Sequence, residues 1–416
     1  MMDFVKSLQC VTCHKDYVPA ETELYCPACG YNEGILDVIY DYERINSVFN
    51  PVTASALPVK SMWRYLPLLP IAGEINLPHL HVGWTPLYRA PLLADELGVA
   101  RCYVKDEGRN PTASFKDRAS AVGVVKAVEK QARRITCAST GNAASSLAGF
   151  SAAAGLPATI FVPKTAPEAK IAQLLIYGAQ VFAVDGTYDQ AWELCMEAAQ
   201  EFGWYNRNCA INPYLIEGKK TVALELTEQL LALGEAMPDW VAVSVGDGCT
   251  VGGVYKGLWE MYRLGFIAKV PKILGVQAEG CQPFVTSWKE NKPLTPCDAL
   301  TIADSIAVGH PRNFAKGLSA IVKSSGVYIA VTDEDILSAM KTLARKAAVF
   351  GEPAGVTAAA GVKQAVKAGL IGKHESVAVL VTGNGLKDIK TAIKAAGAPM
   401  VIKPSLAAVK AAVNNN

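Results

Sequence analysis

Beyond residue 91, short runs rich in β-branched and apolar residues alternate with amphipathic helical stretches, and this alternation constrains the fold more than any other feature of the chain. The runs Ile135–Ala138, 159–162, Gln180–Val184, 241–245, 273–277 and 377–381 read as buried strands. The intervals 117–131, 141–154, 167–177, 187–202, 218–233, 251–264, 333–349 and 354–369 read as helices. Strand followed by helix, repeated, requires right-handed crossovers and an α/β fold whose parallel sheet is covered on both faces. Ligands of such sheets collect at the carboxyl ends of the strands, where helix N-termini present unpaired N–H groups.

The segment before that rhythm divides in two. Residues 1–40 carry Cys10-x-x-Cys13 and Cys26-x-x-Cys29, a spacing that puts four thiolates around one tetrahedral Zn²⁺ in a ribbon too small for a core of its own. Cys10-Val-Thr-Cys13-His14 also reads as a haem-attachment motif, which needs export and leaves the second pair unexplained. Four reduced cysteines without metal are the third reading. With four cysteine ligands the zinc has no open position and is structural. Residues 41–91 contain Pro51, Pro58, Pro67, Pro70, Pro78, Pro86 and Pro91 and read as an irregular arm over the surface of a body at 92–400.

Composition narrows the partners. Forty Lys plus Arg balance 38 Asp plus Glu, with no basic run to track a phosphodiester backbone, so nucleic acid is not an expected partner. Neither a signal-like N-terminus nor a window of about 20 apolar residues is present, which predicts a cytoplasmic chain off the membrane. Eleven cysteines in 416 residues are too sparse for a disulfide scaffold.

Four loops carry the chemistry. In Asn110-Pro-Thr-Ala-Ser-Phe-Lys116-Asp-Arg118 a lysine stands at a helix start, where the dipole disfavours its charge and so favours Schiff-base formation. Ser139-Thr140-Gly141-Asn142-Ala143 follows a strand and suits a carboxylate, although a plain N-cap by Ser139 or Thr140 explains it as well. Gly246-Asp247-Gly248-Cys249-Thr250-Val251-Gly252-Gly253 offers converging amides to a phosphate. With Glu279 it is nearly a dinucleotide fingerprint with the wrong spacing, which keeps a dehydrogenase as an outside alternative. Thr382-Gly-Asn-Gly385 places a hydroxyl at a strand end, or simply makes a turn.

In this order, and with Trp84-Thr85-Pro86-Leu87, the INPYLIEGKKT stretch at 211–221 and VFGEPA at 349–354, these loops resemble the fold-type II pyridoxal phosphate enzymes, the tryptophan synthase β-like fold, and most closely the threonine synthase family. The resemblance covers roughly residues 80–390, and some members of the family also carry the zinc ribbon. It implies two parallel-sheet domains, the smaller at about 120–230, and a homodimer. It further implies pyridoxal 5'-phosphate bound through Lys116, with Asn142 on its phenolic oxygen, Gly246, Asp247, Gly248, Cys249 and Thr250 around its phosphate, and Thr382 on its ring nitrogen. The neutral threonine leaves that nitrogen largely unprotonated, which suits expulsion of a leaving group, and Lys116 is then the proton shuttle at the substrate Cα.

The sequence departs from the family where threonine synthases bind substrate phosphate. Threonine, asparagine, serine and arginine are expected at positions that here hold Ala143, Cys209, Ala210 and Leu215. Beside Ser139, Thr140 and Gly141 these make a largely apolar substrate wall, so the expected activity is a lyase that eliminates the β-substituent of an uncharged, apolar or aromatic β-hydroxy amino acid, releasing a 2-oxo acid and ammonia. Threonine synthase acting on O-phosphohomoserine is the alternative, and a catalytically dead binding or regulatory homologue is the non-enzyme one.

Overall fold

The computed structural model describes residues 4–22, 24–73, 77–209 and 211–414. Two sheets form its body. The larger has the order Val327–Val331, Lys272–Ala278, Trp240–Ser244, Ser376–Val381, Arg101–Asp106, Leu87–Arg89, and all but the last strand are parallel. The smaller is parallel throughout, in the order Gln180–Val184, Ala158–Pro163, Ile135–Ala138, Tyr205–Asn206. All six expected strands form to within a residue or so at each end. All eight expected helices form too, the largest shift being Tyr214–Ala232, which starts four residues before the expected 218 because it begins directly after Pro213.

Two longer strands of the larger sheet, one interior and one at its edge, escaped the sequence pattern. Arg101–Asp106 carries charge at three of its positions, yet Lys105 is fully buried because its ammonium is hydrogen-bonded to Glu225 and Gln229. Val327–Val331 is apolar, but it follows the helix Phe314–Lys323, which the sequence reading left as a connection.

The arm is not a surface strap. It holds the helices Tyr42–Val48 and Pro51–Ser55 and the 3₁₀ stretch Met62–Leu68, and it supplies the antiparallel edge strand Leu87–Arg89. Met62, Tyr65 and Leu68 are fully buried, and Arg64 spans to Glu228 at 2.8 Å. Proline did not exclude structure here because burial of the flanking large residues outweighs the lost donors.

Residues 5–40 form a three-stranded antiparallel sheet, and its turns bring the sulfurs of Cys10, Cys13, Cys26 and Cys29 within 4.8 Å of one another. The ribbon is fastened to the body by charge. Asp37 accepts from Lys256 at 3.0 Å and from Lys316 at 3.1 Å, and the ring of Tyr40 lies 4.1 Å from the Lys220 ammonium. No helix among the described residues is long and apolar enough to cross a membrane.

Behind the loop that leads to Lys116 lies a fully buried ion network. Arg118 reaches Glu107 through Nε at 2.7 Å and Glu225 through Nη1 at 2.6 Å, and Lys105 pairs with Glu225 at 3.0 Å. Two cations face two carboxylates, so the cluster is neutral; burial alone would raise the Glu225 carboxyl, but Arg118 and Lys105 outweigh it and hold it down to about 2. Removing one member leaves uncompensated charge in low dielectric. Arg118→Met should therefore cost about 3–5 kcal/mol, read as a lowered urea midpoint.

Candidate active site

Three neighbouring strands of the larger sheet, Trp240–Ser244, Ser376–Val381 and Arg101–Asp106, run parallel, so their carboxyl ends deliver three of the four sequence-marked loops to one place. The loops are stitched together. Ser114 bridges Gly383, the Phe115 N–H donates to Thr382 O at 2.9 Å, and the Asn384 N–H donates to Ala113 O at 3.1 Å. Ala113 holds a left-handed φ of 62°, a strained conformation that these contacts on both sides of it maintain. The fourth loop, 139–141, comes from the smaller sheet and reaches across through Asn142, whose Nδ2 donates to Glu352 Oε1 at 2.6 Å.

The helices that begin at this cleft lack side-chain caps. Lys116–Glu129 follows Phe115, Asn142–Ala154 follows Gly141, and Cys249–Arg263 follows Gly248, none with a capping side chain. Away from the cleft, Tyr188–Phe202 and Asp333–Ala347 close with full capping boxes. The plain N-cap reading of Ser139 or Thr140 therefore fails: the Ser139 hydroxyl accepts from the Gly141 N–H at 3.2 Å and the helix amides stay open. Open amides with the dipole behind them suit anions.

Lys116 lies on this floor with its pKa lowered to about 8, by desolvation first and then by the Lys219 ammonium. Burial thus leads the cause, where the sequence argument named the helix dipole. Lys219 is 2% exposed, and its ammonium has no hydrogen bond or ion pair among the described residues. Arg207, also 2% exposed, donates through Nη1 to Cys209 Sγ at 3.5 Å and through Nε and Nη2 to Ser120 Oγ at 3.1 and 3.0 Å, with no carboxylate in reach among the described residues. Hydrogen bonding from Cys249, together with Lys219 and Arg207, holds the Cys209 thiol well below its usual range. Asp247 is engaged by the Arg312 N–H at 2.8 Å, by Asn313 Nδ2 at 3.2 Å and by Cys249 Sγ at 3.1 Å.

Of the four positions expected to form an apolar substrate wall, Cys209 has two cations beside it, Arg207 and Lys219. Leu215 is fully buried against Gly123 of helix Lys116–Glu129, Ala143 is half-buried in the first turn of its helix, and Ala210 falls outside the described residues. Sequence reasoning passed over Arg207, Lys219 and Glu352. Lys219 and Glu352 lay in stretches already marked, INPYLIEGKKT and VFGEPA, whereas nothing local distinguished Arg207.

The pattern of a family described as "Pyridoxal-phosphate dependent enzyme" matches residues 79–383. The threonine synthase of Methanocaldococcus jannaschii is 40% identical over 398 residues, 95% of this chain and 96% of its own, and that of Methanosarcina acetivorans is 38% identical over 98% of both. The chain belongs to the threonine synthase family of pyridoxal-phosphate-dependent enzymes. Among solved structures, a threonine deaminase from Solanum lycopersicum superposes with a TM-score of 0.63 at 25% identity, covering 75% of this chain and 83% of its own. A diaminopropionate ammonia lyase from Escherichia coli, at 21% identity and a TM-score of 0.66, covers 82% and 93% and shares the fold.

The residues present fit the family's cofactor. An unpartnered ammonium on Lys219, a Thr382 hydroxyl that finds no partner among the described residues, and three uncapped helix starts surround Lys116. Gly383 lacks the Cβ that would overlap Glu352 and approach Asn142 Nδ2 to 3.2 Å. The lowered pKa of Lys116 has a measurable sign. The amine reacts only when deprotonated, so capture of pyridoxal 5'-phosphate by stripped protein should accelerate with pH up to about 8 and then level off, where an ordinary lysine would keep gaining toward about 10. Lys219→Met removes the neighbouring like charge and should move that midpoint upward.

Proposed function

We propose that this protein carries out the threonine synthase reaction, converting O-phosphohomoserine and water to threonine and inorganic phosphate. The observation that carries this reading is the pair of buried cations, Lys219 and Arg207, next to Lys116, neither of them in direct contact with a carboxylate among the described residues, with Asp247 and Cys209 as the nearby groups of opposite sign. Burying such charges without a counter-ion is costly, and an anionic ligand removes the cost. The curated relatives named threonine synthase, 36–40% identical, support the same conclusion.

In this reading pyridoxal 5'-phosphate is held by Lys116, with its phosphate on the amides of Gly246 to Thr250 and with the Thr382 hydroxyl donating to its ring nitrogen. The bound cofactor withdraws electrons from the substrate Cα. Lys116 holds and returns the proton at that atom, its lowered pKa keeping a free amine available near neutral pH. The open amides at 141–143 orient the substrate carboxylate. Arg207 and Lys219 hold the phosphate of the side chain and stay with it as negative charge builds on the departing oxygen. Cys10, Cys13, Cys26 and Cys29 hold a structural zinc ion, for which four clustered sulfurs are a complete tetrahedral set.

A second reading, β-elimination from an uncharged hydroxy amino acid, is favoured by Ala143 and Leu215, which lack the hydroxyl and guanidinium expected there. Products separate the two. The first predicts phosphate and threonine from O-phosphohomoserine with little 2-oxo acid from threonine or serine, and the second predicts the reverse. Arg207→Met should raise KM for O-phosphohomoserine roughly 10- to 100-fold, the loss of one charged hydrogen bond of about 1.5–3 kcal/mol, while leaving turnover of uncharged amino acids alone.

A further inference from the structure

The contact between Asn142 and Glu352 joins residues 210 apart in the chain and ties the two sheets together, because Asn142 opens a helix packed on the smaller sheet and Glu352 directly precedes the helix Pro353–Lys367 on the larger. Both side chains are buried, 7% and 6% exposed. Glu352 is itself held in place: its N–H donates to Gly383 O at 3.0 Å, and only a glycine at 383 leaves room for its carboxyl.

An asparagine amide is ambiguous, since its nitrogen and oxygen are nearly equal in shape and opposite in hydrogen-bonding sense. A carboxylate accepts only, so Glu352 forces the Asn142 nitrogen toward itself and fixes where the second N–H and the oxygen point. We propose that Glu352 is the positioning residue that sets the hand of Asn142 against the cofactor's ring hydroxyl. The inference rests on the reading of Asn142 as a cofactor partner.

Protonation would turn the acceptor into a donor and release the amide to flip. The charged groups that face Glu352 are Lys387, from the turn after Thr382, Lys116 on its own helix, and Lys170 on Glu168–Ile176. Lys170 is paired with Asp304. Lys387 is hydrogen-bonded to Ser145 Oγ at 3.1 Å and to Gln173 Oε1 at 3.2 Å, so it fastens the same helix that Asn142 opens. Desolvation raises the Glu352 carboxyl above its ordinary value despite the Asn142 hydrogen bond and these cations, which brings the switch nearer to neutral pH.

The test is titration of the stripped full-length protein with pyridoxal 5'-phosphate between pH 5 and 8, following the visible band and its dissociation constant. Native protein should lose affinity by about tenfold or more as pH falls through a carboxyl group that titrates above the ordinary range, with a shift of the band. Glu352→Gln, close to the same size and without charge, should remove the extra loss that native protein shows on top of the Lys116 titration, and Glu352→Asp, too short to reach, should show the weakened affinity at every pH. Unchanged pH profiles in both variants overturn the proposal. Asn142→Ala separates the two levels: if it leaves affinity and band unaltered, the reading of Asn142 fails, whereas a clear effect of Asn142→Ala without any of Glu352→Gln defeats only the role of Glu352.

Discussion

The bonds from Arg118 to Glu107 and Glu225, fully buried, are the constraint on which the rest depends. They tie the loop after strand Arg101–Asp106 to the long helix Tyr214–Ala232, and Thr85 and Asn110 extend the tie by bonding Glu107 at 2.6 and 2.9 Å. Lys116 sits two residues before that arginine, so the position of its amine is inherited from a closed, electrically neutral cluster. A buried ion network contributes little net stability against an apolar replacement, but it admits only one arrangement of its members. That specificity is what the role proposed for Lys116 requires.

In front of the network the charges do not cancel. Lys116, Lys219 and Arg207 face Asp247 and Cys209 across the cleft, and three helices start there without caps. Other helices of the chain, such as Pro91–Leu97 and Phe314–Lys323, also start without side-chain caps, so what distinguishes this surface is the convergence of three such starts with the buried cations Lys219 and Arg207. Each costs stability in the empty protein, and each is repaid when an anion binds. In the proposed function, a cofactor phosphate, a substrate carboxylate and a substrate phosphate are the three anions for this one cleft.

Much of this was legible in the sequence because it is written locally. Strand periodicity marked the strands and the loops that hold Lys116, Asn142, Gly246–Thr250 and Thr382, and the division into two sheets followed from the family resemblance. What the sequence hid is long-range. Burial of Met62 and Tyr65 in a proline-rich arm depends on partners far along the chain, as the Arg64 bond to Glu228 shows. Strand Arg101–Asp106 looked too polar because the partners of Lys105 lie at 225 and 229. The apolar substrate wall was inferred from four positions alone, and Arg207 alters its character from a strand end that carries no motif. Glu352 was visible within VFGEPA, but its purpose appears only when Asn142, 210 residues away, is seen beside it.

The central claim is that the two unbalanced cations serve an anionic substrate side chain. Calorimetric titration of the cofactor-loaded protein with an unreactive phosphonate isostere of O-phosphohomoserine, set against an uncharged amino acid of the same length, tests it without turnover. Two charged contacts predict that the phosphonate binds about 100-fold more tightly or better, and that the advantage shrinks as salt rises. Equal affinity for the two ligands at low salt would contradict the account.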